Sequence, residues 1–154
     1  MDALKFYTGL AEKVVPGKYF QSIRKVDNPI KLGDELRFIE IDEDDFPVHQ
    51  LGTGRCIGIS DIEIQDKSVS VLCRQGSWKA ELLHGHKQPL WYLPIDTRYG
   101  DGSWGICSFT ADAEALDLFA KAEGFFSWSV FVCWVADQYG LPFKGKMLIC
   151  EVDA

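Results

Sequence analysis

The chain has 154 residues, 47% hydrophobic and 25% charged, the size and balance of one domain able to bury a real core. A formal net charge of −7 at pH 7 excludes indiscriminate attraction to nucleic acid or anionic membrane, though not a local basic patch. The five scattered cysteines (Cys56, Cys73, Cys107, Cys133, Cys150) show no Cys-x-x-Cys spacing and read as buried thiols. With no signal-like N-terminus and no apolar run of membrane-spanning length, the expectation is a cytoplasmic protein with no membrane partner.

In chain order, "ALKFY" reads as a short strand. Thr8 then offers an N-cap to a helix over "GLAEKVV", with Leu10, Val14 and Val15 on one side, stopped by Pro16 and Gly17. Pro29 and Gly33-Asp34 bracket a turn before the extended "ELRFIEI", and Asp42 to Asp45 with Pro47 mark an exposed loop. "GTGRCIG" lacks the strand–loop–helix context of a phosphate loop and reads as a turn leading into a strand. "GRCIGISDIEI" is β-like but changes phase. Alternation puts Ile57 and Ile59 on one face and Ile62 and Ile64 on the other, which calls for a bulge or bend near Ser60-Asp61, made easy by Gly58. "QDKS" turns the chain into "VSVLC".

Residues 76–108 show no sustained period. They read as a long loop rich in Trp78, Trp91, Tyr92, Tyr99 and Trp104, with a short strand around "WGICSF". Thr110 can then cap a helix carrying Asp112 and Glu114 in its first turn and Leu116, Phe119 and Ala120 as its stripe, with Gly124 at its C-cap. Ser127 caps the next helix, with Phe126 and Phe131 at staple positions and Phe131, Trp134 and Val135 inward. That helix ends at Gly140, and "KMLICEV" is a closing strand.

Gly17-Lys18 lacks the remainder of a Walker motif, and His84 and His86 alone make a weak metal site, so no metal or cofactor is expected. A local positive excess stands out instead. Lys13, Lys18, Arg24, Lys25 and Lys31 face only Asp27, with Tyr19 and Phe20 interleaved. Cations for phosphate beside aromatic faces for stacking suit a nucleotide or single-stranded nucleic acid.

Two stretches, "VVPGKYFQSIRK…IKLGDELRF" and "FAKAEGFFSWSVFVCWVADQYGLPFKGKMLIC", resemble the opening motif and the helix pair of the ASCH domains. These are a branch of the PUA-like β-barrels common in bacteria and phages. The resemblance implies an α+β fold: a small, mostly antiparallel PUA-like barrel with about three flanking helices. It implies a single domain over residues 1–154, with 76–108 as a loop insertion.

Functionally, the resemblance implies an RNA- or nucleotide-binding module holding a base or short single-stranded RNA beside the barrel. A few related members are amidohydrolases on N4-acylated cytidine, using a lysine and a threonine of the first motif and a glutamate near the helix pair. Matching Ile23-Arg24 to the family's Ile-Arg places Ser22 at the threonine, Tyr19 at the lysine and Glu123 at the glutamate. Tyrosine, with a pKa of roughly 10, is a poor substitute for a tuned amine, whereas Lys18 stands one residue early. The implied ligand site is Lys18, Tyr19, Ser22, Arg24, Glu123, Trp91 and Trp104, with Lys18, Ser22 and Glu123 as the reacting set of an enzyme. A third reading makes the aromatic loop a docking element for a host protein.

Overall fold

Strand β1 (Asp2–Tyr7) buries Leu4 and Phe6 and exposes Lys5 and Tyr7, the period-2 pattern of a sheet with one covered face. The computed structural model describes residues 2–76, 94–98, 104–110 and 113–154, with side chains over 2–71 and 113–154. After β1 come β2 (Tyr19–Lys25), β3 (Glu35–Ile41), β4 (Pro47–Gln65), β5 (Ser68–Gly76), β6 (Pro94–Arg98) and β7 (Trp104–Thr110). Helices α1 (Ala113–Ala122) and α2 (Trp128–Tyr139) follow, and β8 (Phe143–Val152) closes the chain.

The result is α+β, with all strand pairings antiparallel except β1 with β3. The ladder runs β1-β3-β4-β5-β7-β6, and β8 pairs with both β4 and β2. Among the described residues no ladder joins β2 to β1 or to β6, so the sheet is open where a closed barrel was expected. Two α-helices are present among those residues, not three. The segment after β1 forms only a 3-10 turn at Ala11–Lys13, because Gly9 at φ 96° and Pro16 leave too few residues to propagate a helix. Thr8 does not cap it; its hydroxyl donates to Glu40 instead.

Two cores lie on opposite faces of the strands. Met147 and Ile149 of β8 meet the helices through Phe119, Phe131 and Val135, whereas Leu148, Cys150 and Val152 pack with Phe6, Phe20 and Phe38. Being covered on both faces, β8 reads as the unbroken apolar run "MLIC". Strand β4 serves both cores, and register shifts at Cys56/Gly58 and Ile59/Ser60 let it do so. Ile57, Ile62 and Ile64 pack on the helix side, while Cys56 and Ile59 pack on the other. The bend is therefore present, but slightly earlier than expected, and Ile57 and Ile59 do not share a face. "GTGRCIG" lies inside β4, not in a turn before it.

Several local expectations also change. Residues 94–98 and 104–110 form paired strands within the span read as loop. Thr110 ends β7, and the cap expected from it lies outside the residues whose side chains are described. Phe126 is 85% exposed and makes no staple; Phe125 packs on Phe131 in its place, at 5.1 Å between centroids. Ser127 does cap α2, and Gly124 at φ 100° ends α1, with Phe125 N–H reaching Ala120 O. Trp134 is only partly buried. Cys56 and Cys150 are buried free thiols, but Cys133 is exposed. No helix among the described residues is long and apolar enough to cross a membrane.

Candidate functional site: a buried ion pair beneath an acidic cleft

Among the described residues strand β2 pairs only with β8, so its other edge carries backbone groups that need partners. Glu123, one residue beyond α1, supplies one. Its Oε2 accepts from Ile23 N–H at 3.4 Å, and its Oε1 accepts from Gln21 Nε2 at 3.1 Å. Lys13, from the 3-10 turn, closes the set with Nζ 3.5 Å from Oε2 and 3.2 Å from the Glu123 carbonyl oxygen. One ammonium thus neutralises a carboxylate and also fills a helix-end carbonyl, where a cation is favoured. The pair is deeply placed: the side chain of Lys13 is 11% exposed and that of Glu123 is 2% exposed.

Burial pushes the Lys13 ammonium below its ordinary pKa of 10.5; Glu123 opposes that shift and Arg24 adds to it. Arg24 follows Ile23 on β2 and is partly buried. Its Nε donates to Ser22 Oγ at 3.0 Å, and its guanidinium carbon is 5.0 Å from the Phe6 ring centroid. Lys13 Nζ is 5.6 Å from the same centroid, so one electron-rich ring face serves both cations. Desolvation also lowers the Arg24 pKa, and burial raises that of Tyr139.

Lys13, Ser22, Arg24 and Glu123 line one pocket of about 70 Å³, walled by Phe125, Trp134 and Tyr139. Tyr7, Leu10, Phe125 and Trp134 also line a wider cleft of about 880 Å³, whose charged walls are Asp42 and Glu43 and which no lysine or arginine among the described residues lines. The inner space is cationic and the outer space anionic.

Of the residues expected at the site, the fold brings together Ser22, Arg24 and Glu123. It does not bring Lys18 to them: Lys18 is exposed before β2 begins, and four extended residues separate it from Ser22 by roughly 13 Å. Tyr19 is partly buried and does not line the pocket. Trp91, His84 and His86 lie outside the described residues; Trp104 starts β7 and its side chain is not described. The amine is Lys13, which sequence reading counted only as part of a positive stretch. Its signal was the acidic residue at a helix C-terminus, which demands a cation from elsewhere.

No family model, curated protein or solved structure matches the chain. What the fold and pocket define is a class: a small α+β protein with a small pocket lined by Lys13, Ser22, Arg24 and Glu123 beside a wider cleft walled by Asp42, Glu43, Phe125 and Trp134.

Proposed function

We propose that the chain is an ASCH-type, PUA-like domain that handles a nucleoside-sized ligand and hydrolyses an amide on its base. The observation that carries this is the convergence of an amine (Lys13), a carboxylate (Glu123) and a hydroxyl (Ser22) on one pocket. A base stacks against Trp134 and Phe125 in the outer cleft while its acylamino group enters the inner pocket. The Ser22 hydroxyl attacks the acyl carbon, its proton passing through Lys13 and Glu123 to the departing base nitrogen as the C–N bond breaks, and water then hydrolyses the Ser22 ester, freeing the carboxylic acid and restoring the hydroxyl. Lys13 takes the part that Tyr19 cannot, which answers the missing lysine of the resembled motif.

A second reading, base recognition without turnover, is favoured by one detail: Ser22 Oγ already accepts from Arg24, and Glu123 is held by three donors, as in a fixed recognition set. RNA is the weaker ligand in either case, because among the described residues the cleft walls carry carboxylates and no cation to meet phosphates.

Incubation with N4-acetylcytidine followed by chromatography tests the proposal. Expected is release of cytidine, lost in Lys13→Met and Glu123→Gln and retained in Lys18→Ala. Turnover that survives both losses removes the assignment. Binding of cytidine without turnover supports the second reading.

A further inference from the structure

Cys56 of β4 and Cys150 of β8 stand directly opposite each other in the antiparallel ladder. Both thiols are free and buried, in the core that also holds Phe6, Phe20 and Phe38. The backbone of Cys56 shows which kind of cross-strand pair this is. Its N–H donates to the Asp34 carbonyl oxygen at 3.1 Å, and its own carbonyl oxygen accepts from Gly33 N–H at 2.8 Å. Both groups therefore point away from β8, and Cys56 with Cys150 is a non-hydrogen-bonded pair. In such pairs the Cα atoms approach to about 4.5 Å and the side chains come closest. That spacing lies within the roughly 4.4–6.8 Å that a disulfide spans. The two thiols already share a hydrogen bond, which lowers the Cys56 pKa and raises that of Cys150. Cys56 is the readier thiolate of the two.

We infer that Cys56 and Cys150 are a modification site, a thiol pair that a small peroxide converts to a cross-strand disulfide joining β4 to β8. The Cys56 thiolate attacks one peroxide oxygen, the O–O bond breaks, and the departing hydroxide leaves as water with the proton that Cys56 released. The product is a sulfenic acid. The Cys150 sulfur then attacks Cys56 Sγ, the S–O bond breaks, and the second hydroxide leaves as water with the Cys150 proton. The two thiols lose two electrons in all, and the peroxide gains them. Burial selects the oxidant. A bulky disulfide cannot reach either sulfur, whereas hydrogen peroxide is barely larger than water. A route for it exists beside Cys56, where the ladder to β8 skips Ile57 and its pairing is already interrupted. Joining positions so far apart in sequence constrains the unfolded chain, so the oxidised protein is the more stable form.

The test uses Cys133→Ser, which removes the exposed thiol and the intermolecular disulfides it would form. The folded protein is treated with hydrogen peroxide, blocked with N-ethylmaleimide in urea and digested without reductant for mass spectrometry. Expected is a peptide pair joined through Cys56 and Cys150, lighter by two hydrogens than the free peptides and separated by dithiothreitol. The melting temperature should rise by about 5 °C or more on oxidation and return on reduction, with no rise in Cys56→Ala. Recovery of both residues as maleimide adducts at every dose below the onset of methionine oxidation overturns the inference. So does a link from either residue to Cys73 or Cys107, or oxidation of Cys56 to the sulfinic acid with no link. A link that forms only when urea is present during the peroxide step overturns it too, because the fold is then not what brings the sulfurs together. Should Cys56→Ala not fold, the peptide map of its parent still decides.

Discussion

A carboxylate just past the C-terminus of a helix faces the negative end of the dipole, so Glu123 stays there only because Lys13 Nζ meets both its side chain and its carbonyl. Removing one partner strands a buried charge. Glu123→Gln, which leaves the desolvated Lys13 ammonium without its counter-charge, is expected to cost about 3–5 kcal/mol in urea unfolding, and Lys13→Met less, because Glu123 keeps the Gln21 and Ile23 donors. The double variant should cost clearly less than the sum, because neither charge is then left alone. Additive losses would mean that the two groups do not share their energy. The pH dependence has a definite sign. Lys13 titrates below 10.5 in the fold and near it when unfolded, so in between the unfolded chain holds a proton that the fold has released. The stabilising contribution of Lys13 is therefore full above 10.5 and is lost as pH falls through the lower folded value. The stability of wild type minus that of Lys13→Met should rise with pH through that window, and a flat difference would contradict burial as the dominant cause. Glu123 and Ser22 were legible in the sequence because a local motif carries them. Lys13 was not, because its partner is 110 residues away and only the fold brings the two together.

Strand β4 shows the same division one scale up. Its phase change, readable from Ile57 to Ile64, does mark a bend, and the helix cap at Ser127 and the stop at Gly124 are local chemistry that the sequence displays directly. The exposure of Phe126, the shrinking of the first helix to one turn and the pairing of β6 with β7 depend on which surfaces meet, which no local pattern states. Gly54 is where the tertiary demand is sharpest. There β4 is paired with Leu36 of β3 and Val152 of β8 at once, and an added Cβ would run into the Glu151 carbonyl oxygen and the Phe38 ring. The carbonyl cannot yield without disturbing β8. Gly54→Ala is expected to cost about 3 kcal/mol, or a fall in melting temperature on the order of 10 °C. Ser127→Ala, losing one long cap bond, should cost only about 0.5–1 kcal/mol. Calorimetry on both variants checks the ranking, and equal effects would show that the approach at Gly54 is relaxed in solution.

Across the whole molecule, a net charge of −7 surrounds a pocket lined, among the described residues, by Lys5, Lys13 and Arg24 against one carboxylate, Glu123. On the proposed reading, the acidic surface and the Asp42–Glu43 wall repel polyanions at a distance, and Arg24 and Lys13 favour an electron-rich group that has passed them. This filter selects by where charge sits on the ligand. A nucleoside carries its polar edge at one end and no phosphate; a nucleotide must bring a phosphate against the acidic wall. Cytidine is therefore expected to bind more tightly than cytidine 5′-monophosphate, by about 1 kcal/mol or roughly fivefold at low ionic strength. Because the penalty is long-range, it should fade as salt rises from about 0.01 M to about 1 M, where the screening length falls from about 30 Å to about 3 Å. The pair substitution Asp42→Asn with Glu43→Gln should remove most of it at low salt and leave cytidine affinity unchanged. Calorimetric titration of the two ligands at both salt concentrations reads all of these at once. A nucleotide that binds more tightly than the nucleoside at low salt, with the advantage lost at high salt, would show that phosphate is met by cations rather than by this wall, and would return single-stranded RNA to the front of the candidate ligands.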